Sequence, residues 1–486
     1  MRRAGTIATL ALALLATQGS AAADARSAAD RAAPKTARSH RLGQGAGAVR
    51  RYWTPQRMRS ARPLLPDRSG ARAPATASTS GLPAVLSHAA VNRFEIQDTS
   101  SYPARVHGSV FLTFPGEGDF ECSGTAVGSL AGNVVLSAGH CVYDGGESEQ
   151  WATNWMFIPG YHNGQSPFGE WVASRVASTP QWVAGGEARF SYDVGGAVMQ
   201  PIGGTQLEKK VGARGTAFGQ PRDQLFRAFG YPAQQPPLEF TGGRLFACDS
   251  AYGGDDQLEQ DPRPMRIACD LTAGSSGGGW VIHDAFVNSV ISYGYVLQPN
   301  DIYGPYFGSV AAALYRDVAA VGLCHGAEPT LVGTGASEKL TGTGAADVLL
   351  GLGGNDRIEG GGGDDVVCAG SGDDVLDGGP GSDELAGEGG SDSASFGGGH
   401  RVKASTRSAH GQGSDRLEGI ENLFGSPRGD VLRGDGLRNL LRGRGGPDRL
   451  KGRGRRDRLL GGAGRDRCDG GRGRDLAKGC EAARRL

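Results

Sequence analysis

Twelve polar positions in the C-terminal third stand nine residues apart, and no other feature constrains the fold of this chain as strongly. Asp347, Asp356, Asp365, Asp374, Asp383 and Asp392 form one register, and Asp430, Asn439, Asp448, Asp457, Asp466 and Asp475 form a second. Two positions after each member of the first comes Leu349, Ile358, Val367, Leu376, Leu385 or Ala394, and glycines run ahead of the aspartates, as in "GGGGDDVVC" and "GGPGSDELA". A short period with one kept apolar position points to stacked identical units rather than a single globular core. Glycine makes up 83 of the 486 residues, far above the usual share of about 7%.

These nonapeptides resemble repeats-in-toxin calcium β-rolls. The resemblance implies glycine turns, an apolar residue facing inward, and aspartates that hold Ca²⁺ between turns together with turn carbonyls. The six aspartates of the first register are the metal ligands it implies. Residues 344–392 carry 12 acidic side chains and one basic, so without cations the stack repels itself, and calcium binding and folding are coupled. We read residues 329–394 as the acidic array, 395–427 as a segment between arrays, and 428–486 as a second, basic array with a cap. Between 428 and 478 there are 16 basic residues and 7 acidic. Arg449, Arg458 and Arg467 directly follow ligand-position aspartates, and Asn439 and the glycine-poor turn at Asp457 weaken the pattern. Poorer calcium binding is expected there, with Arg–Asp pairs across turns. A polyanion-binding face is the sharper alternative.

The other end sets the compartment. Arg2 and Arg3 precede the apolar run "IATLALALLA" and the small residues "AAADA", the pattern of a signal peptide over residues 1–25. An exported protein with eight cysteines is expected to pair them. Nothing later is long and apolar enough to span a bilayer. Residues 26–85 are rich in Ala, Arg, Ser and Pro, so little core is expected: a pro-segment or disordered arm. Its arginines lack aromatic interleaving, which disfavours nucleic acid. Residues 86–325 hold many short apolar runs between turns, which predicts an all-β barrel or sandwich, with one helix at "SVAAALYRDVAAVG".

The stretch "CDLTAGSSGGGW" holds Ser275 and Ser276 among glycines. Such a run is ordinarily a linker. It becomes a site if a base and an orienting carboxylate exist elsewhere. His140 has the best setting, where the apolar strand "NVVLSA" runs into Gly139-His140-Cys141 and Cys122 can pair with Cys141. His162, His283 and His325 read as surface histidines. Asp193, in "FSYDVGGAVMQ", is the favoured carboxylate, and Asp144 is its rival.

"LSAGHC", "YDVGGAVM" and "GSSGGG" resemble the His, Asp and Ser motifs of chymotrypsin-like serine peptidases, in that order, with the bacterial glutamyl-endopeptidase-like branch nearest. The resemblance covers about residues 100–320 and implies a double β-barrel with the site between the barrels. It makes Ser276 the nucleophile, His140 the base and Asp193 its orienting partner, and it places the oxyanion hole at the N–H groups of Gly274 and Ser276. Ser292-Tyr293-Gly294 resembles the substrate-binding strand. Asp270 lies where trypsin-like members keep a basic-selecting aspartate, although it also reads as a loop residue beside a disulfide. Three departures stand out. Ser275 replaces the aspartate that often precedes the nucleophile, Gly279 replaces a proline, and "NSVISYGYV" lacks the histidine of Glu-specific members. No cofactor is implied for catalysis.

Remaining cystines are expected at Cys248–Cys269, Cys324–Cys368 and Cys468–Cys480. The whole reads as an all-β chain, a double-barrel secreted serine endopeptidase acting on proteins or peptides and joined to a calcium-binding parallel β-roll. The alternative is a non-catalytic extracellular calcium-binding surface or adhesion protein with a pseudo-peptidase domain.

Overall fold

The computed structural model describes residues 37–64, 66, 93–145, 149–185, 189–233, 240–295 and 298–486. The expected signal peptide lies outside them.

Residues 37–64 correct the expectation of little core in the arm. Strand β1 (Arg38–Arg41), helices α1 (Ala46–Tyr52) and α2 (Pro55–Ser60), and strand β2 (Arg62–Pro63) form in order. Thr54 caps α2, accepting a hydrogen bond from the Arg57 N–H at 3.3 Å, with Pro55 at the first helical position. Only a few apolar residues are available, but Val49, Trp53 and Met58 are all buried in the main core. Concentrating them in two short helices and the turn between them compensates for the polar composition.

After β3 (Arg93–Glu95), strands β4 (His107–Phe114), β5 (Gly118–Val127), β6 (Val134–Ser137), β7 (Thr153–Pro159), β8 (Trp171–Ser178) and β9 (Gly195–Met199) follow. They pair antiparallel in the order β8-β7-β4-β5-β6-β9, and β8 with β9 closes a six-stranded barrel. Side chains of β4, β5 and β6 are almost all buried, because one barrel face fills the lumen while the other is covered. β1 extends this sheet along β8.

The second β-body contains β10 (Gly215–Ala217), β11 (Leu225–Gly230), β12 (Phe246–Asp255), β13 (Met265–Ala268), β14 (Gly279–Ile282), β15 (Phe286–Val290), β16 (Tyr293–Tyr295) and β17 (Gln298–Gly304). β3 adds to β12. The expected helix forms as α3 (Ser309–Ala319), with its apolar face buried. No helix among the described residues is long and apolar enough to cross a membrane.

The tail is not a separate bead. Strand β18 (Leu331–Val332) pairs antiparallel with β10 and parallel with Val348–Leu350. The roll therefore grows out of the second β-body, and Cys324–Cys368 staples the junction. Each strand pairs with the one 18 residues later, Leu349 with Val367 and Ile358 with Leu376. One coil is thus two nonapeptides, with strands alternating between two parallel sheets. Leu349, Ile358, Val367, Leu376, Leu385 and Ala394 fill the axis, each at most 2% exposed. The segment between the arrays keeps the stack continuous. Glu384–Ala386 pairs with Ser414–Glu418, and the extra residues form an antiparallel hairpin inserted in the same sheet, Ser408–His410 pairing with Ser414–Glu418 and Lys403–Ser405 with Val431–Arg433.

Candidate catalytic site and candidate calcium sites

β6 ends in a 3-10 turn, Gly139–Cys141, which carries His140. Asp193 precedes β9, which pairs with β6, so two neighbouring strands deliver the base and the carboxylate. The fully buried Asp193 accepts from the His140 main-chain N–H at 2.8 Å and contacts its ring Nδ1 at 2.7 Å. An ionised carboxylate only accepts, so the ring nitrogen facing it, Nδ1, is the donor, and Nε2 is the nitrogen turned away from Asp193. Ser292 Oγ donates to Asp193 Oδ2 at 2.5 Å. The family motif pointed to Ser292 through its backbone, and this side-chain role was not legible in it. Asp144 does not compete: its carboxylate accepts from the Gln150 N–H at 3.0 Å.

The glycine-serine run is packed, not a linker. A Cβ on Gly274, at φ +96°, would lie 2.6 Å from Tyr231 O, and one on Gly277, at φ +82°, would lie 2.6 Å from Ser123 O. Only glycine allows the loop this close to the His140 turn. Ser123 clamps it, donating its N–H to Ser276 O at 2.7 Å and its Oγ to Gly274 O at 2.9 Å. The Cys122–Cys141 disulfide ties the same strand to the histidine turn.

The two serines differ in what they face. Ser275 Oγ is buried without a hydrogen-bond partner and packs toward Gly230. Ser276 Oγ donates to Leu64 O at 2.7 Å, and the Gly274 N–H donates to the same oxygen at 2.9 Å. His140 Nε2 is buried with no partner.

Along the expected substrate strand, Ser292 N–H donates to Tyr303 O at 2.9 Å and Tyr293 pairs with Tyr303. Asp256 accepts from Tyr293 OH at 2.5 Å and Tyr295 OH at 2.6 Å. These tyrosines belong to a buried aromatic cluster with Trp182, whose ring centroid is 6.2 Å from that of His140. Asp270 is bonded to Arg93 Nη1, and that guanidinium also lies 4.9 Å from the Phe240 ring centre. Only Oδ2 of Asp270 is engaged by Arg93; its Oδ1 is buried with no hydrogen-bond partner. Arg93 comes from β3, far from the motif in sequence, and no motif marked it.

In the roll, each aspartate serves the coil before it. Oδ1 of Asp365 accepts from the Asp347 N–H at 2.8 Å, that of Asp374 from Asp356 at 2.7 Å, and that of Asp392 from Asp374 at 2.9 Å. The Oδ2 atoms of Asp356, Asp365, Asp374, Asp383 and Asp392 are buried with no hydrogen-bond partner. Burial, reinforced by neighbouring carboxylates, pushes Asp356 and Asp365 up to about 7 and Asp392 up to about 6. Stacked hard oxygens without donors fit Ca²⁺. Asp347 differs: its Oδ2 accepts from Thr343 N–H at 2.6 Å and Thr343 Oγ1 at 2.8 Å.

The Arg–Asp pairs expected across turns of the second array do not form. No ion pair lies within 428–486 among the described residues, and Arg449, Arg458 and Arg467 are exposed. The residue after an inward aspartate points outward along the strand, so it cannot turn back to pair. Asp448, Asp457 and Asp466 instead repeat the first array's geometry, with buried, unpartnered Oδ2 atoms. Asp430 resembles Asp347, because Ser426 satisfies its Oδ2. All four expected disulfides are present, and no cysteine is free.

Residues 332–367, 341–376, 369–402 and 442–477 match the RTX calcium-binding nonapeptide repeat. Among solved structures, the protease Anisep from Arthrobacter nicotinovorans is 36% identical over 45% of this chain and 96% of its own, with a TM-score of 0.41. The thermostable serine protease AL20 from an extremophilic microorganism is 37% identical over 45% of this chain and 98% of its own, with a TM-score of 0.41. A Glu endopeptidase is 19% identical over 48% and 98%, with a TM-score of 0.38. No curated protein matches the sequence. By identity across nearly the whole length of two serine proteases, the 45% of the chain that they cover belongs to the trypsin-like serine proteases, and the C-terminal third is a β-solenoid of RTX calcium-binding repeats.

Proposed function

We propose that this chain is a secreted serine endopeptidase whose repeat tail folds on calcium. The carrying observation is the doubly held His140: Asp193 fixes its turn and its ring while Gly274 and Ser276 converge on one carbonyl oxygen. Ser276 Oγ attacks the scissile carbonyl and His140 Nε2 takes its proton. The oxyanion is held by the N–H groups of Gly274 and Ser276. His140 returns the proton to the leaving amine, and water then cleaves the acyl-enzyme by the same route reversed. Ser292–Gly294 aligns the peptide by its backbone. Arg93 already occupies one oxygen of Asp270, which weighs against a preference for basic side chains. Four disulfides and no free cysteine suit an oxidising, extracellular setting.

The tail is where partners besides substrate dock. Arg433 pairs in register with Lys451, and Arg449 with Arg467, on neighbouring strands. Like charges about 4.8 Å apart repel; Asp469, in register with Lys451 on the next strand, offsets this at one end of the face only. A polyanion laid along this face would relieve that repulsion.

The deciding experiment is fluorophosphonate labelling of mature protein. Labelling should vanish in Ser276→Ala and persist in Ser275→Ala. An unlabelled mature wild type would favour the non-catalytic binding protein.

A further inference from the structure

Resting on the peptidase reading, we propose that residues 38–64 are an inhibitory segment whose Leu64 carbonyl plugs the site until the segment is cut away or displaced. Leu64 O accepts from the Gly274 N–H at 2.9 Å and the Ser276 hydroxyl at 2.7 Å, and Leu64 N–H donates to Glu121 O at 3.0 Å. The two groups that would act on a substrate carbonyl are thus both taken by the chain's own backbone. A hydroxyl has one proton. While Ser276 gives it to Leu64 it cannot give it to His140, whose Nε2 is indeed without a partner. Ser276 itself is fully buried, so access requires Leu64 to withdraw.

The rest of the segment is anchored on β5 and β7. β2 runs parallel to β5, with Arg62 opposite Phe120 and its guanidinium 4.4 Å from that ring. Tyr52 OH donates to Asp119 at 2.6 Å and Arg57 pairs with Asp119 at 2.9 Å. Trp53 Nε1 donates to Asn154 O at 2.6 Å. Each anchor is modest alone, but tethering makes the occupant's effective concentration high. The plug is main chain rather than a specificity side chain, so it blocks the site whatever side chain the enzyme prefers.

The test is the rate of fluorophosphonate labelling of Ser276 in the full chain, confirmed intact by mass. The comparisons are the same chain after proteolytic removal of residues 1–64 and the intact variant Arg62→Ala. Removal should speed labelling about tenfold or more, and Arg62→Ala about fivefold, because only the open fraction reacts. A synthetic peptide of residues 38–64 should slow the cut enzyme again. A peptide of residues 38–63, which keeps both helices and β2 but lacks Leu64, should not. Equal labelling of cut and intact chains, an Arg62→Ala variant that labels like wild type, or two peptides that act alike would overturn the plug while leaving the peptidase reading intact. A cut chain that keeps its native near-ultraviolet dichroism but never labels would overturn both.

Discussion

Asp193 holds His140 at two points, the main-chain N–H at 2.8 Å and ring Nδ1 at 2.7 Å. The first contact fixes the turn and the second fixes the ring, so the imidazole cannot swing without losing a bond to a buried carboxylate. Ser292 adds a third donor on the same carboxylate.

Asp193→Asn should fold but lose activity. An amide places a donor where an acceptor is needed, which disfavours the tautomer that leaves Nε2 free. A fall in kcat of about 10³-fold or more is expected. Ser292→Ala removes one of three bonds and should cost about tenfold. Kinetics on matured protein, with thermal melts as the folding control, check both.

Glu121 titrates against the fold. Burial raises its carboxyl well above the ordinary value, and the hydrogen bond from Ser109 Oγ only partly opposes this. A folded value above the unfolded one means its stabilising contribution is complete in acid and is lost as pH rises through the folded value. Glu121→Gln keeps an acceptor for Ser109 and cannot ionise. Wild type should lose more Tm than Glu121→Gln between pH 5 and about pH 9; parallel melts of the two proteins would contradict this.

Calcium should be read unequally by the aspartates. Asp374 offers an unpartnered buried Oδ2, whereas that of Asp347 is satisfied by Thr343. Asp374→Asn should weaken calcium binding about tenfold or more, and Asp347→Asn should leave it nearly unchanged. Calorimetric titration of the full chain separates the two. Chelation should lower the tail's β-sheet dichroism, since buried carboxylates then repel one another.

The basic face predicts salt-sensitive retention on a sulfated polysaccharide matrix. Lys451→Gln with Arg467→Gln removes one member of each in-register pair, and the double variant should elute at lower salt. The same change should leave the melting temperature equal or higher, because it also removes repulsion. Unchanged elution would count against a polyanion partner.

Much of the tail was legible because a repeat interacts mainly with its neighbours. Nine residues with one apolar position marked the repeating unit and its inward-facing residue; that two units make one coil, with Leu349 beside Val367, is decided by the strand pairing. The arginine ladder was misread because charge counts carry no direction. Strand alternation turns Arg449 outward from the aspartate beside it, and only the register shows that.

In the first half, residue types and order pointed to His140, Asp193 and Ser276, since a glycine-rich turn, a histidine after an apolar strand and a buried aspartate each leave a local mark. Leu64, Arg93 and the side-chain role of Ser292 left none. Leu64 meets Ser276 across 212 residues, and it does so through a carbonyl that every residue possesses. Local pattern therefore determined which chemistry and which repeat this chain carries. The path of the folded backbone alone decided what fills the site, because main-chain hydrogen bonds between distant segments depend on position and not on side-chain identity.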